Sequence, residues 1–355
     1  MSSLNIGFND KIHLGIHSIA NIAQLTGYKK LSPVAISWRL TYSCNFSCLH
    51  CSSHLNKYPI QTDKLLDVAY KIADSHTSIV VLSGGEPLIV PNIKQIITVL
   101  KNAGKHVAID TNGYLLDKFA DFFLDIGLNS IAVSFDGADS KTNDFIRNKK
   151  GAFETVINNL KYIKENRKNK KPHIGIRGTV MRYNFRTIPQ YIEKFANLAD
   201  DIKFQPVHNQ EFHHSVSKEK VLFKPKDNKM ESELVEIINL TAKKYSFLNN
   251  NYYKSFPKFI FHPEQIKKEV INHCIPVLFF ALRINPDGSC NTCTKKTGDI
   301  YKESINKIWT NPERINFLKN LSKTGYCNHP CWYNSHVIEN QLPGKILKKI
   351  FKIMK

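Results

Sequence analysis

Three of the eight cysteines fall within eight residues, in the stretch Thr41-Tyr42-Ser43-Cys44-Asn45-Phe46-Ser47-Cys48-Leu49-His50-Cys51. Thiolates spaced C-x3-C-x2-C on one short loop can converge on a single soft metal centre without distant partners. Three ligands leave one iron of a four-iron, four-sulfur cluster open to an exogenous ligand, whereas a structural zinc closes its shell with four. A zinc site completed by His50 or His54 is the alternative that the cysteines alone leave open.

A second motif, Ser83-Gly84-Gly85-Glu86-Pro87, follows the apolar run Ile79 to Leu82, which reads as a buried strand, and precedes a helical pattern from Ile93. Paired glycines at the end of a strand let backbone approach a ligand closely, and Glu86 adds an acceptor for an ammonium group.

The elements that must position these motifs alternate. Strands are expected at Val34 to Leu40, Ile79 to Leu82, Val107 to Asp110, Ser130 to Phe135, Ile174 to Met181 and Ile202 to Val207. Helices are expected at Thr62 to Ser75, Ile93 to Ala103, Leu115 to Ile126, Phe153 to Asn166 and Ile188 to Leu198. Strand-helix repetition implies an α/β fold with parallel strands and a site at their C-terminal ends. Two further polar segments fall at such ends: Asp110-Thr111-Asn112-Gly113 after the third strand and Ser134-Phe135-Asp136-Gly137 after the fourth. Small polar side chains there suit ribose hydroxyls, although Asp136-Gly137 is also an ordinary turn signal.

The cysteine loop after a first strand and the Gly-Gly-Glu-Pro turn after a second together resemble the radical S-adenosylmethionine (radical SAM) superfamily. The resemblance implies a partial (β/α)6 TIM barrel, open on one side. It implies that Cys44, Cys48 and Cys51 hold a 4Fe-4S cluster whose open iron chelates S-adenosyl-L-methionine. By the same resemblance Gly84, Gly85 and Glu86 meet the methionine amino group. Asn112, Ser134 and Asp136 serve the ribose or sulfonium region, Arg147 the cofactor carboxylate, and His50 takes the position beside the adenine. The implied activity is reductive cleavage of S-adenosylmethionine to a 5'-deoxyadenosyl radical that abstracts hydrogen from a substrate. A reducing partner such as flavodoxin or ferredoxin is implied too.

The remaining cysteines are Cys274, Cys290, Cys293, Cys327 and Cys331. Asp287-Gly288 between two short strands reads as a hairpin turn, ahead of a helix at Glu313 to Leu321. This stretch resembles the small auxiliary-cluster domain called SPASM, in its shortened Twitch-like form. The resemblance implies Cys274, Cys293, Cys327 and Cys331 as ligands of one auxiliary 4Fe-4S cluster, with Cys290 a spare or alternative ligand. Four thiolates could also hold zinc, which is the alternative.

Length and composition bound the rest. A chain of 355 residues with 42% hydrophobic content supports an ordinary buried core. No apolar run reaches membrane-spanning length, and Met1 to Asp10 lacks signal-peptide features, so a cytoplasmic protein is expected. Clustered cysteines suit metal ligation in a reducing compartment. The net charge of +20 favours anionic surfaces, or reflects a compositional bias rich in Lys, Asn and Ile. No aromatic and basic stripe suited to stacking bases stands out, so no specific nucleic acid is expected.

The expected organisation is a helical extension at 1–33, the core barrel at 34–207, a linker with one or two helices covering the open side at 208–270, the auxiliary domain at 271–335 and a basic amphipathic tail at 336–355. The extension is too short for a separate peptide-recognition domain. The tail carries Lys345, Lys348, Lys349 and Lys352 at helical spacing, which suits peripheral contact with an anionic membrane or packing on the protein. Expected substrates are peptides or proteins, with a lipid, sugar or other small metabolite as the alternative. A non-catalytic metal-binding or redox-sensing protein is the reading from another class.

Overall fold

The computed structural model describes residues 32–56, 58–207, 221–224, 226–249, 251–262, 268–269, 281–293, 295–324 and 326–327. The expected helix at 11–31, the histidines at 208–214, Cys274, Cys331 and the basic tail lie outside the described residues.

Strands β1 (Ala35–Thr41), β2 (Ile79–Gly84), β3 (His106–Thr111), β4 (Ser130–Ser134), β5 (His173–Val180) and β6 (Asp201–Pro206) pair in sequence order, every neighbour parallel. Helices Thr62–Ala73, Ile93–Asn102, Ala120–Asp125, Ala152–Asn166 and Ile188–Phe195 connect them. Each buries one apolar stripe, for example Leu65, Val68, Ala69 and Ile72, against alternate strand residues such as Ile36, Trp38, Val80 and Leu82. The result is an open, mostly parallel α/β sheet and not a closed barrel.

Three local features depart from the periodicity. The helix expected over Leu115 to Ile126 begins as a tight 3-10 turn at Leu116–Lys118 and becomes α-helical at Ala120–Asp125. The tighter turn buries Leu116 completely while Phe119 and Phe123 stack 5.9 Å apart. An unexpected helix spans Ser140–Arg147; it is too polar to show a stripe, and its caps make it, with Asp139 accepting from Thr142 N and Asn148 closing it at φ +50°. Beyond the short β7 (Lys268–Glu269), a third strand, β10 (Lys295–Asp299), follows the expected hairpin of β8 (Ala281–Ile284) and β9 (Ser289–Thr292).

That hairpin joins the main sheet, because β8 runs parallel to β1 and gives the order β10-β9-β8-β1-β2-β3-β4-β5-β6. At the opposite end, helices Asn228–Lys244, Asn251–Lys254 and Phe256–Phe261 stand beside β6. Tyr253 Oη accepts from Phe204 N, and Glu193 pairs with Lys244. Among the described residues no helix is long and apolar enough to cross a membrane.

Candidate active site

The ends of β1 and β2 are stitched together beyond the last ladder pair. Gly85 N donates to Thr41 O at 2.7 Å and Glu86 N to Ser43 O at 3.0 Å, which lays Gly84-Gly85-Glu86 along the start of the cysteine loop. Both glycines are dictated by that approach. A Cβ on Gly85 would stand 2.0 Å from Ser43 O, and one on Gly84 would stand 2.4 Å from Thr41 O, where φ is also +140°. The close approach read from the paired glycines is thus made to the cysteine loop itself.

Three thiols gather inside this loop. Cys44, Cys48 and Cys51 share a small apolar cluster with Phe46, Tyr114 and Ala152. Phe46 N points at Cys44 Sγ at 3.4 Å, Ser53 N at Cys51 Sγ at 3.5 Å, and Arg147 Nη1 at Cys48 Sγ at 3.6 Å. Burial pushes the Cys44 thiol up and Cys48 up to about 12, against the pull of Arg147. Thiols so buried become thiolates through a metal, and N–H donors aimed at sulfur are what such thiolates require. Among the described residues no three His, Cys, Asp or Glu side chains converge on a single metal ion. Three thiols gathered in an apolar cluster, with an N–H donor aimed at each sulfur, fit a cluster held by thiolates.

Glu86 is fully enclosed. Its Oε1 accepts from Leu88 N at 3.0 Å and Thr111 Oγ1 at 2.7 Å, and its Oε2 accepts from Asn112 N at 2.7 Å. The carboxylate thus ties the end of β2 to the end of β3. Burial raises its pKa, and these three donors pull it back toward the ionised form. Asn112 reaches the loop, with Nδ2 donating to Asn45 Oδ1 at 2.7 Å.

Asp136 and Arg147 form a buried ion pair, Nε to Oδ2 at 2.8 Å. Asp136 Oδ1 accepts from Thr179 N at 2.9 Å, and His50 Nε2 stands 3.9 Å from Oδ2. Asp136 thus ties the end of β4 to Arg147 through one oxygen and to β5 through the other. Gly137 keeps an ordinary φ and is needed for closeness, since its Cβ would lie 2.4 Å from Asn143 N. Arg147 likewise faces Asp136 and Cys48, which makes it a fixed charge at the cluster loop. Ser134 ends β4 half-exposed on the face turned from the helices.

Sequence reasoning passed over three residues that organise these ends. Thr111 holds Glu86, and Asn143 Oδ1 accepts from Asp136 N at 3.0 Å. Asn184 donates to Asp136 O and Thr179 O, both at 2.8 Å. Asn143 lies inside the helix Ser140–Arg147 and Asn184 four residues beyond β5, so no local spacing marks them as braces.

In the C-terminal hairpin Cys290 is wholly buried in the main core, its pKa pushed up to about 12 by burial. Cys293 lies past the end of β9, half-buried, at φ +55°. Cys327 belongs to a short strand, Tyr326–Cys327, paired antiparallel with Lys268–Glu269.

Comparison with known proteins agrees with this architecture. Residues 38–195 match the radical SAM superfamily, and residues 274–332 match the iron-sulfur cluster-binding domain SPASM. The chain is 27% identical over 186 residues to the Fe-coproporphyrin III synthase of Methanosarcina barkeri, covering 51% of this chain and 45% of that protein. It is 28% identical over 137 residues to the sporulation killing factor maturation protein SkfB of Bacillus subtilis, covering 38% of this chain and 33% of SkfB. These matches span less than half the length of either relative. In fold it is similar to Streptococcus suis SuiB bound to S-adenosylmethionine, with a TM-score of 0.64 at 14% identity over 89% of this chain and 75% of SuiB.

The chain belongs to the radical SAM superfamily of enzymes and carries a SPASM extension. Membership brings a 4Fe-4S cluster, S-adenosyl-L-methionine and an auxiliary iron-sulfur cluster as its cofactors.

Proposed function

We propose that this protein cleaves S-adenosylmethionine reductively and uses the 5'-deoxyadenosyl radical to take hydrogen from a peptide or protein substrate. The observation that carries the reading is the docking of the three-thiol loop onto Gly84-Gly85-Glu86 beside the buried Arg147. Cys44, Cys48 and Cys51 hold the cluster, which with its cofactor supplies the electron transfer and radical chemistry when bound.

The chain's own residues do the positioning. Arg147, braced by Asp136, sets a fixed positive charge against Cys48, where an anionic cluster gains from it. The segment Gly84-Gly85-Glu86 offers backbone to the methionine amino group while Glu86 keeps the β2 and β3 ends in place. Asn112 and Ser134 present an amide and a hydroxyl at the ends of β3 and β4 for the ribose, with His50 at the adenine side. Phe46 and Tyr114 keep water from the thiols. Cys274, Cys293, Cys327 and Cys331 hold one auxiliary 4Fe-4S cluster that accepts or relays an electron, and a flavodoxin or ferredoxin supplies the reductant.

Similarity to a maturation protein supports the peptide substrate. A porphyrin is the second reading, favoured by similarity to Fe-coproporphyrin III synthase. The test is anaerobic reconstitution with iron and sulfide, followed by an assay for 5'-deoxyadenosine with and without peptide or Fe-coproporphyrin III. The wild type is expected to hold about eight irons and Cys44→Ala/Cys48→Ala/Cys51→Ala about four, with no deoxyadenosine. Zinc in place of iron, with no cleavage under strong reduction, would sink the reading.

A further inference from the structure

Each sulfur of the cysteine loop receives an N–H donor, and the three donors are not alike. Phe46 N and Ser53 N, which face Cys44 and Cys51, are neutral backbone amides from the loop and its continuation. The third, Arg147 Nη1 at 3.6 Å from Cys48 Sγ, carries a full charge and comes from 99 residues further along the chain. Helix Ser140–Arg147 is clamped to the loop, because Leu49 N donates to Ile146 O at 2.9 Å and Asn148 Nδ2 to Ser47 Oγ at 2.8 Å. Cys48 and Arg147 are both buried, so solvent and salt screen this charge little.

A carboxylate opposes that charge. Asp136 Oδ2 lies 2.8 Å from Arg147 Nε, and Asp136 is itself held in place, with Oδ1 accepting from Thr179 N and its backbone bonded to the amides of Asn143 and Asn184. Burial dominates the raised pKa of Cys48; against it Arg147 draws the sulfur toward thiolate, and Asp136 works the other way more weakly. Of the two fixed charges, the positive one therefore prevails at the sulfur. The potential of an iron-sulfur cluster follows its net charge and the donors to its sulfurs. A fixed positive charge nearby favours the state that holds the extra electron.

We infer that Arg147 holds up the reduction potential of the cluster carried by Cys44, Cys48 and Cys51 and that Asp136 limits how far, so that this pair fixes how strong a reductant the protein needs. Both act through Cys48 and are positioning residues. One electron leaves the flavodoxin or ferredoxin and enters at the cluster, and no proton or bond moves with it. The inference rests on the proposed cluster site at those three cysteines.

The test is a redox titration of the full chain, reconstituted anaerobically with iron and sulfide and read by electron paramagnetic resonance. The auxiliary signal, recorded on Cys44→Ala/Cys48→Ala/Cys51→Ala, is subtracted. Four potentials are expected in a fixed order: Asp136→Asn highest, then wild type, then Arg147→Gln/Asp136→Asn, with Arg147→Gln at or below that double variant. The reduced-to-oxidised ratio at a set potential should fall about tenfold in Arg147→Gln, a downward shift of about 59 mV for one electron, and about threefold in the double variant. Arg147→Lys, which keeps the charge, should stay within about twofold of wild type. Should Asp136→Asn or Arg147→Gln alone lose its iron, wild type, Arg147→Lys and the charge-free double variant carry the comparison. Equal potentials, a different order, or an Arg147→Lys potential as low as that of Arg147→Gln would overturn the inference. Loss of iron from the double variant too would make the pair's role structural and overturn it as well. Loss of S-adenosylmethionine binding in Arg147→Gln at an unchanged potential would overturn it and return Arg147 to the cofactor carboxylate. Deoxyadenosine formation by the wild type, followed in parallel, keeps the two readings apart. The expected order without cleavage would sink the radical reading alone, and cleavage with equal potentials would sink the role of the pair alone.

Discussion

Replacing Gly85 by alanine tests the docking of the cysteine loop directly. The new methyl would lie 2.0 Å from Ser43 O and 2.5 Å from Tyr42 O, where ordinary contact begins at 3.4 Å. Both obstacles are backbone atoms, so no rotamer relieves them, and the loop must move by about 1.4 Å. The bonds from Gly85 N to Thr41 O and from Glu86 N to Ser43 O then stretch past hydrogen-bonding distance. Two backbone bonds at about 1 kcal/mol each, with the strain of overpacking, give a destabilisation of about 2–4 kcal/mol. Misplacing the reacting groups by about 1 Å costs about 100-fold in rate. The assay pairs urea unfolding with the initial rate of deoxyadenosine formation. Gly104→Ala is the control: nothing lies within 4 Å of its added methyl, but φ is +72°, so it loses about 1 kcal/mol without moving the loop. A Gly85→Ala protein that works within threefold of wild type would refute the reasoning.

Other outcomes follow from single contacts. Asp136→Asn strips the buried Arg147 of its counter-charge and should cost about 3–5 kcal/mol in urea unfolding, with loss of deoxyadenosine formation. Cys290→Ala should keep its full iron content and lose about 1 kcal/mol of core packing, whereas Cys293→Ala should lose about four irons; the reverse pattern would exchange their roles. Acid should weaken the fold in two steps. Burial holds the His173 pKa below its usual value despite Asp201, so its contribution is present above about pH 6.5 and is lost as pH falls through the lowered folded value. Burial opposes ionised Asp200, but Arg167 and Ile174 N outweigh it and hold the pKa down, so that contribution is lost below about pH 4. Urea midpoints measured from pH 7 to 3 should fall across both windows, and Asp200→Asn should flatten the lower one.

What could be read from the chain alone was whatever is local. Apolar residues at periods of two and 3.6 marked the six parallel strands and most helices, because each stripe must be buried. Three thiols within eight residues announced a metal loop, since no fold is needed to bring them together. The helix at Ser140–Arg147 escaped because caps, not apolar spacing, make it. Only the tertiary structure decided the partners of side chains distant in sequence. Glu86 finds Thr111 and Asn112 across the β2 and β3 ends, and Asp136 pairs with Arg147, a contact that neither the segments nor the family resemblance gave. Register on β9 buried Cys290 and left Cys293 past the strand end. It also set Arg177 beside Asp201 of the next strand, a pairing no linear spacing encodes, because strand neighbours lie in different segments of the chain and a one-residue slip would turn every side chain to the other face.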